Sequence, residues 1–344
     1  MSGKITFKFL FDLSLVLIIT FLLAYNQLII YGLKMGKGQL HIILNARSID
    51  DCINDRQFPD SLKVKLQLIM EIRQYATDSL GLNNSPNYTT VYDQQNKPAI
   101  WVLTACDPFA FKAKEWKFPI VGTVPYKGFF RKEEAKIQQV LLLSEGYDTK
   151  LGTTSGWSTL GWFKDPILSN MLYQSEGELA DLIIHELTHS TIFIKSDVQR
   201  NENLASFIGD IGARKFLIHK FGIHSKEYTT FMNDQHDELM YNDYILNSMK
   251  QLDVLYRSFN TGTSIDEKKK LNERIIVDIV LGVSKLSLFN KTKYFKISKR
   301  AITSKNAFFM EFVRYDSQRS YFENELSKEK KGDIAAFIKH QKKL

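Results

Sequence analysis

Cysteine is scarce: the 344-residue chain has two, Cys52 and Cys106, more than fifty residues apart and outside any metal-ligand spacing. That excludes a disulfide scaffold and leaves two isolated thiols as the expected outcome. Proline, at 7 residues, and glycine, at 18, are too few and too scattered to mark a low-complexity segment or an internal linker. No repeat recurs at solenoid or propeller periods, so a single catalytic domain with decorations is the default. Charge of one sign is also lacking: the net +8 is moderate for this length and spread over many lysines, so no nucleic-acid partner is expected. What is present, 44% hydrophobic and 24% charged residues, suffices for one large core or two ordinary ones.

One long apolar run stands near the start. From Leu13 to Tyr31 no residue is charged, and nineteen residues at helical rise span about 28 Å, close to a bilayer's hydrocarbon thickness. A small-residue cleavage site is missing, as is a cysteine to take a lipid, so a retained N-terminal transmembrane helix is expected. Lys4 and Lys8 before the run balance Lys34 and Lys37 after it, which leaves its orientation unread. On this basis residues 1–37 form a membrane anchor and junction, residues 38–344 form one catalytic domain, and the protein is membrane-anchored.

After the anchor, Leu62 to Leu80 has a helical pattern that stops at Gly81. Short β-branched and aromatic runs follow at Tyr88 to Tyr92, Ala99 to Thr104 and Pro119 to Tyr126, separated by turn residues. Lys132 to Glu145 reads as a helix and Tyr147 to Thr153 as one more strand. From there helical patterns dominate: Glu178 to Ile194, Asp197 to Phe221, Lys226 to Ser258, Asp266 to Leu288, Lys305 to Leu326 and Asp333 to Lys342. Strands first and helices after, without alternation, predict an α+β fold in which a small N-terminal sheet region packs on a mainly helical core.

The chemistry concentrates in Leu182-Ile-Ile-His185-Glu186-Leu-Thr-His189, an H-E-x-x-H sequence on a predicted helix. Residues four apart are separated by about 400°, so both imidazoles leave the same face one turn apart and reach one ion. Glu186 lies about 100° round from His185, beside the ion, where a carboxylate takes a proton from bound water. With seven histidines in the chain, accidental copies number on the order of 0.01. Apart from the motif, Leu182 to Thr191 is uncharged, as a buried metal-bearing helix requires, and Ser175 with Glu178 forms a capping box upstream. The bland alternative is a pair of ordinary histidines on an amphipathic helix.

A catalytic zinc site needs a third protein ligand. Ser196 and Gln199 give a second capping pattern, so a helix begins near Asp197 and carries Glu202 in its second turn. Ala205, Gly209 and Gly212 form a strip of small residues beside Glu202 that lets two helix backbones approach closely. The competing reading of Glu202 is a solvated residue favoured by the helix dipole.

H-E-L-T-H followed by Asn201-Glu202-Asn203-Leu204-Ala205 resembles the gluzincin metallopeptidases, whose glutamate on the following helix is the third ligand. Twelve residues separate His189 from Glu202, fewer than the eighteen or so typical of aminopeptidase N-like enzymes, which implies a tight connection. A closer resemblance is to a bacterial family of predicted aminopeptidases. It rests on Gly38-Gln39-Leu40, Trp116-Lys-Phe-Pro-Ile-Val-Gly122, Tyr126-Lys-Gly-Phe-Phe130, Ser158 to Pro166, His185 to His189, and Asn201-Glu202 with Ala205 and Phe207. The resemblance implies a membrane-associated or exported zinc peptidase acting on peptides, its catalytic domain periplasmic or otherwise extracytoplasmic. His185, His189 and Glu202 would be the zinc ligands and Glu186 the catalytic carboxylate. One position departs from thermolysin-like relatives: the aspartate that orients the first histidine there is Ser206 here. Asp210 or a backbone carbonyl is then needed to fix the imidazole.

Zinc enzymes of this kind commonly add an oxyanion-stabilising Tyr or His, for which Tyr126, Tyr228 and His236 are candidates. Ser158 to Pro166, with Trp157 and Trp162, is expected either to line a substrate cleft or to pack over the core. The basic run from Lys285 to Lys305 reads as a solvated face. Two other functions fit the same residues: a membrane-anchored binding or scaffold protein with a structural or vestigial zinc, and the same hydrolysis directed at a cell-wall amide.

Overall fold

The computed structural model describes residues 9–16, 20, 25–119, 122–153, 164–316 and 318–343. It divides into two units, Met1–Asn45 and Ala46–Leu344. In the first, helix α1 runs from Asn26–Leu44 and carries Lys34, Lys37 and His41 within its nineteen residues. A span needs about 20 predominantly apolar residues, and no helix among the described residues is long and apolar enough to cross a membrane. The expected transmembrane helix over Leu13 to Tyr31, and the membrane-anchored localisation and membrane partner built on it, are corrected accordingly. Residues 17–19 and 21–24 of that stretch lie outside the described residues.

The second unit corrects the expected fold class. Helix makes up 65% of the structure, about twice the share of an ordinary globular domain, so the protein is mostly helical with small sheets. The strands expected from the β-branched runs do form, but they stay short. β1 (Arg47–Ser48), β2 (Thr90–Tyr92) and β8 (Ile167–Leu168) make one sheet, with β2 and β8 parallel. β3 (Trp101–Cys106) pairs antiparallel with β6 (Lys127–Phe129) and β7 (Asp148–Thr153), and β4 (Trp116–Phe118) with β5 (Gly122–Val124). Strands of two to six residues cannot make a layer of their own, and the helices supply the core instead.

Those helices are α2 (Ile49–Asn54), α3 (Asp60–Asp78), α4 (Lys132–Ser144), α5 (Glu176–His189), α6 (Val198–Phe221), α7 (Lys226–Ser258) and α8 (Ile265–Gly282). The chain finishes with α9 (Lys291–Ser298), α10 (Arg300–Ser304), α11 (Asn306–Asp316), α12 (Arg319–Asn324) and α13 (Ile334–Gln341). Two apolar clusters form. The first joins α3, α5 and α6 to the β1-β2-β8 sheet, α12 and α13, through Ile69, Ile72, Ile183, Ile184, Ile208 and Phe337. The second joins α7 to α8, α9, α10 and α11 through Ile245, Leu252, Ile276, Val283 and Phe309. Cys52 and Cys106 are separate, buried, free thiols, and burial pushes the Cys106 thiol up to about 12.

The helix expected over Lys305 to Leu326 is broken into α11, α12 and a π turn at Glu325–Glu329. A side chain from α6 enters the break. Asn203 donates to the Val313 carbonyl (3.3 Å) and accepts from the Gln318 amide (2.8 Å), replacing backbone partners that a continuous helix would have used.

Candidate metal centre

Helix α5 begins as its sequence requires. The Ser175 hydroxyl accepts from the Glu178 amide and the Glu178 carboxylate accepts from the Ser175 amide, a reciprocal capping box. From that start, His185 and His189 fall one turn apart on the last stretch of the helix, with Ile183, Ile184 and Leu187 buried around them. Helix α6 starts at Val198 with Asp197 as its cap, accepting from the Arg200 amide; Ser196, the expected cap, instead adopts a left-handed φ of 62° in the connection. Glu202 lies in the second turn, as expected.

The connection is tight and Asn201 holds it closed. Its side chain donates to the Ile194 carbonyl (2.7 Å) and accepts from the Ile194 amide (2.9 Å), pinning the loop back onto α6. The small strip sets the distance between the two helices. A Cβ added at Gly209 would stand 2.4 Å from Asp181 Oδ1, 3.0 Å from the Asp181 carbonyl oxygen and 3.2 Å from His185 Cβ; one added at Gly212 would meet Ile184 at 3.0 Å. Only glycine allows α6 this close to α5, and that approach delivers Glu202 to the histidines.

The three side chains converge. His185 Nε2 and His189 Nε2 are 3.1 Å apart, and Glu202 Oε2 is 3.5 Å from the first and 3.6 Å from the second. Metal bonds of about 2.0–2.2 Å in tetrahedral geometry put neighbouring donor atoms about 3.3–3.6 Å apart. The two nitrogen–oxygen distances match that spacing and the nitrogen–nitrogen distance is slightly shorter, so the triad is compatible with one shared metal ion. His189 is buried, and His185 and Glu202 are mostly so.

Charge inside this pocket is mutually supporting. Burial works against the ionised Glu202, yet the two imidazoles hold its carboxyl well below the usual carboxylate range. Burial likewise opposes a charged His189, and the Glu202 carboxylate outweighs it, raising the imidazole pKa. Glu186, next in chain to His185, is buried outside the triangle. Burial raises its pKa against the pull of both histidines and of the Tyr88 hydroxyl.

Residues 30–344 match a family model described as "Putative aminopeptidase". The chain belongs to that family. No curated protein and no solved structure matches it. Membership in the aminopeptidase family makes the protein peptidase-like, a hydrolase with peptide as its substrate class, and the His185, His189 and Glu202 triad is compatible with a bound metal.

The remaining sequence candidates are dispersed. Asp210, considered as an orienting acceptor for the histidines, forms a salt bridge with Arg319, which also pairs with Glu323 at 3.0 Å. His236 on α7 stacks against Phe289 at 5.6 Å, Tyr228 packs at the edge of the first cluster, and Tyr126 stands between β5 and β6. Trp157, Trp162 and residues 158–163 of the candidate cleft segment lie outside the described residues, while Asp165 is fully buried. Within the basic run, Tyr294 is buried in the second cluster. Tyr88, read from sequence only as the start of the β run Tyr88 to Tyr92, stands 98 positions before Glu186.

Proposed function

We propose that this member of the aminopeptidase family is a zinc-dependent peptidase of the gluzincin type, probing free N-termini as an aminopeptidase. In this reading His185, His189 and Glu202 hold the ion and Glu186 is general base and acid. The observation that carries it is the donor triangle of 3.1, 3.5 and 3.6 Å with a buried carboxylate beside it. Two imidazoles and one carboxylate are a donor set suited to zinc, with room for solvent. When bound there, zinc lowers the pKa of water and polarises the substrate carbonyl.

The chain's own groups do the rest. Glu186 accepts a proton from the attacking water and passes it to the departing amine, so it is deprotonated at the start of the cycle and again at the end. Glu202 offsets the positive charge of the ion, and its closeness to both imidazoles keeps the donors arranged before substrate arrives.

The test is metal analysis and digestion of a mixed peptide library by the full chain and by Glu186→Gln. One zinc per chain is expected in both proteins, with release of N-terminal residues by the first and a fall in kcat of about 10²–10⁴-fold in the second. Zinc without cleavage in the unsubstituted chain would sink the enzymatic reading and favour a binding protein.

A further inference from the structure

Helix α6 has two working faces. Glu202, Ala205, Gly209 and Gly212 line the side that closes on α5, and at about 100° per residue Phe207, Ile211 and Arg214 fall nearly opposite. That far side meets α12 and the π turn around a cavity of about 400 Å³. Phe207 and Ile211 are buried and give it an apolar floor. Arg214, Arg319, Glu323 and Asn324 make a polar rim, the last two exposed to solvent.

The charges on this rim are unequally matched. Arg319 donates through Nη2 to Asp210 and through Nε to Glu323 Oε1, the latter at 3.0 Å. Arg214 lines the same cavity half-buried, yet its side chain forms no ion pair or hydrogen bond among the described residues. Its five N–H donors are on offer. Glu323 likewise keeps its second carboxylate oxygen without a protein donor among the described residues. A simple anion drawn to Arg214 would meet the Glu323 carboxylate, and a simple cation drawn to Glu323 would meet two guanidinium groups. A molecule carrying both charges beside an apolar group satisfies every part of the rim. Its carboxylate takes Arg214, its ammonium takes the free oxygen of Glu323, and its apolar group covers Phe207 and Ile211. That is the chemistry of a free amino acid, and the cavity volume falls within the range of small-ligand sites.

We propose that the cavity between α6 and α12 binds a free amino acid with an apolar side chain, at a site separate from the metal centre. Its walls are fixed before a ligand arrives. The Arg319–Asp210 pair holds α12 against α6, and Asn203 grips the chain at Gln318, just ahead of Arg319. Binding here needs neither metal nor turnover, so it stands apart from the peptidase reading, although release of N-terminal residues would generate this class of compound.

Calorimetry on the zinc-loaded full-length chain tests this with leucine, with leucinol, which lacks the carboxylate, and with 4-methylpentanoate, which lacks the amine. Leucine should bind with a Kd on the order of 1 mM. Each analogue should bind about 10-fold or more weakly, having lost one charge-assisted contact. Arg214→Gln and Glu323→Gln should weaken leucine to a similar degree, with zinc content and peptide turnover in the absence of leucine unchanged. A crystal soaked with leucine should hold it between α6 and α12. Leucine bound only at the metal triad, an affinity unchanged in either variant, or 4-methylpentanoate binding as tightly as leucine would each overturn the proposal. Failure of the peptidase reading, seen as zinc without cleavage, leaves these measurements able to decide.

Discussion

Both apolar clusters lie against buried acids, and they treat them differently. Beside the second cluster, Asp237 accepts from the Phe289 and Asn290 amides at 2.7 Å each, and Asp148 accepts from the Asn306 amide at 3.1 Å. Backbone donors of this kind do not titrate, so these carboxylates fasten α7 to the start of α9 and β7 to the start of α11. Beside the first cluster, Glu202 faces two imidazoles and Glu186 faces a phenol and the same imidazoles. Here the partners are themselves acids and bases. A buried charge neutralised by side chains alone is poorly suited to holding a fold and well suited to binding ions and moving protons.

The contrast can be broken from either side. The largest effect is expected from Glu202→Ala: zinc affinity should fall at least about 100-fold in chelator competition, with peptide turnover lost. Asp237→Ala should do the reverse. Two backbone amides lose a charged acceptor and Asp237 itself is buried, so denaturant titration should show a loss of roughly 2–4 kcal/mol, while the zinc content and kcat of the folded fraction stay as they were. Gly209→Ala sits on the boundary between the two regimes. Its Cβ would collide with Asp181 and His185, and it should cost about 1–3 kcal/mol of stability and weaken zinc binding as well, read by the same two assays.

The smallest effect sharpens the comparison. Burial raises the Asp148 pKa despite the Asn306 amide and Lys305. The folded carboxyl therefore keeps its proton to a higher pH than the unfolded one, the native state binds more protons between the two values, and stability falls as pH rises through that window. Asp148→Asn should accordingly give a small gain in melting temperature at neutral pH that disappears at acid pH below the window.

The parts of this arrangement that were legible in sequence are local ones. Ser175 and Glu178 announce the start of α5, H-E-x-x-H puts two rings on one face, and the spacing of Ala205, Gly209 and Gly212 announces a close helix neighbour, because each signal acts within a few turns of one helix. The hydrogen bonds between Asn87 and Asp165 join positions 78 apart, and no periodicity encodes such a pair. The fold class misled for a related reason. Val91, Leu103 and Val124 have the residue character of strands, but strand length is decided by what packs on them, and helices took that role. The end of the apolar run, from Asn26 to Tyr31, belongs to α1 together with Lys34, Lys37 and His41, and that helix is not apolar enough to cross a membrane.

Asn201 and Asn203 flank Glu202, one fastening the loop behind it and the other gripping the break between α11 and α12. The carboxylate thus sits in a saddle whose shape is owed to amide side chains on either shoulder, independent of any ion. Unlike small zinc modules that collapse when stripped, such a saddle would survive chelation and accept a replacement ion such as cobalt without refolding.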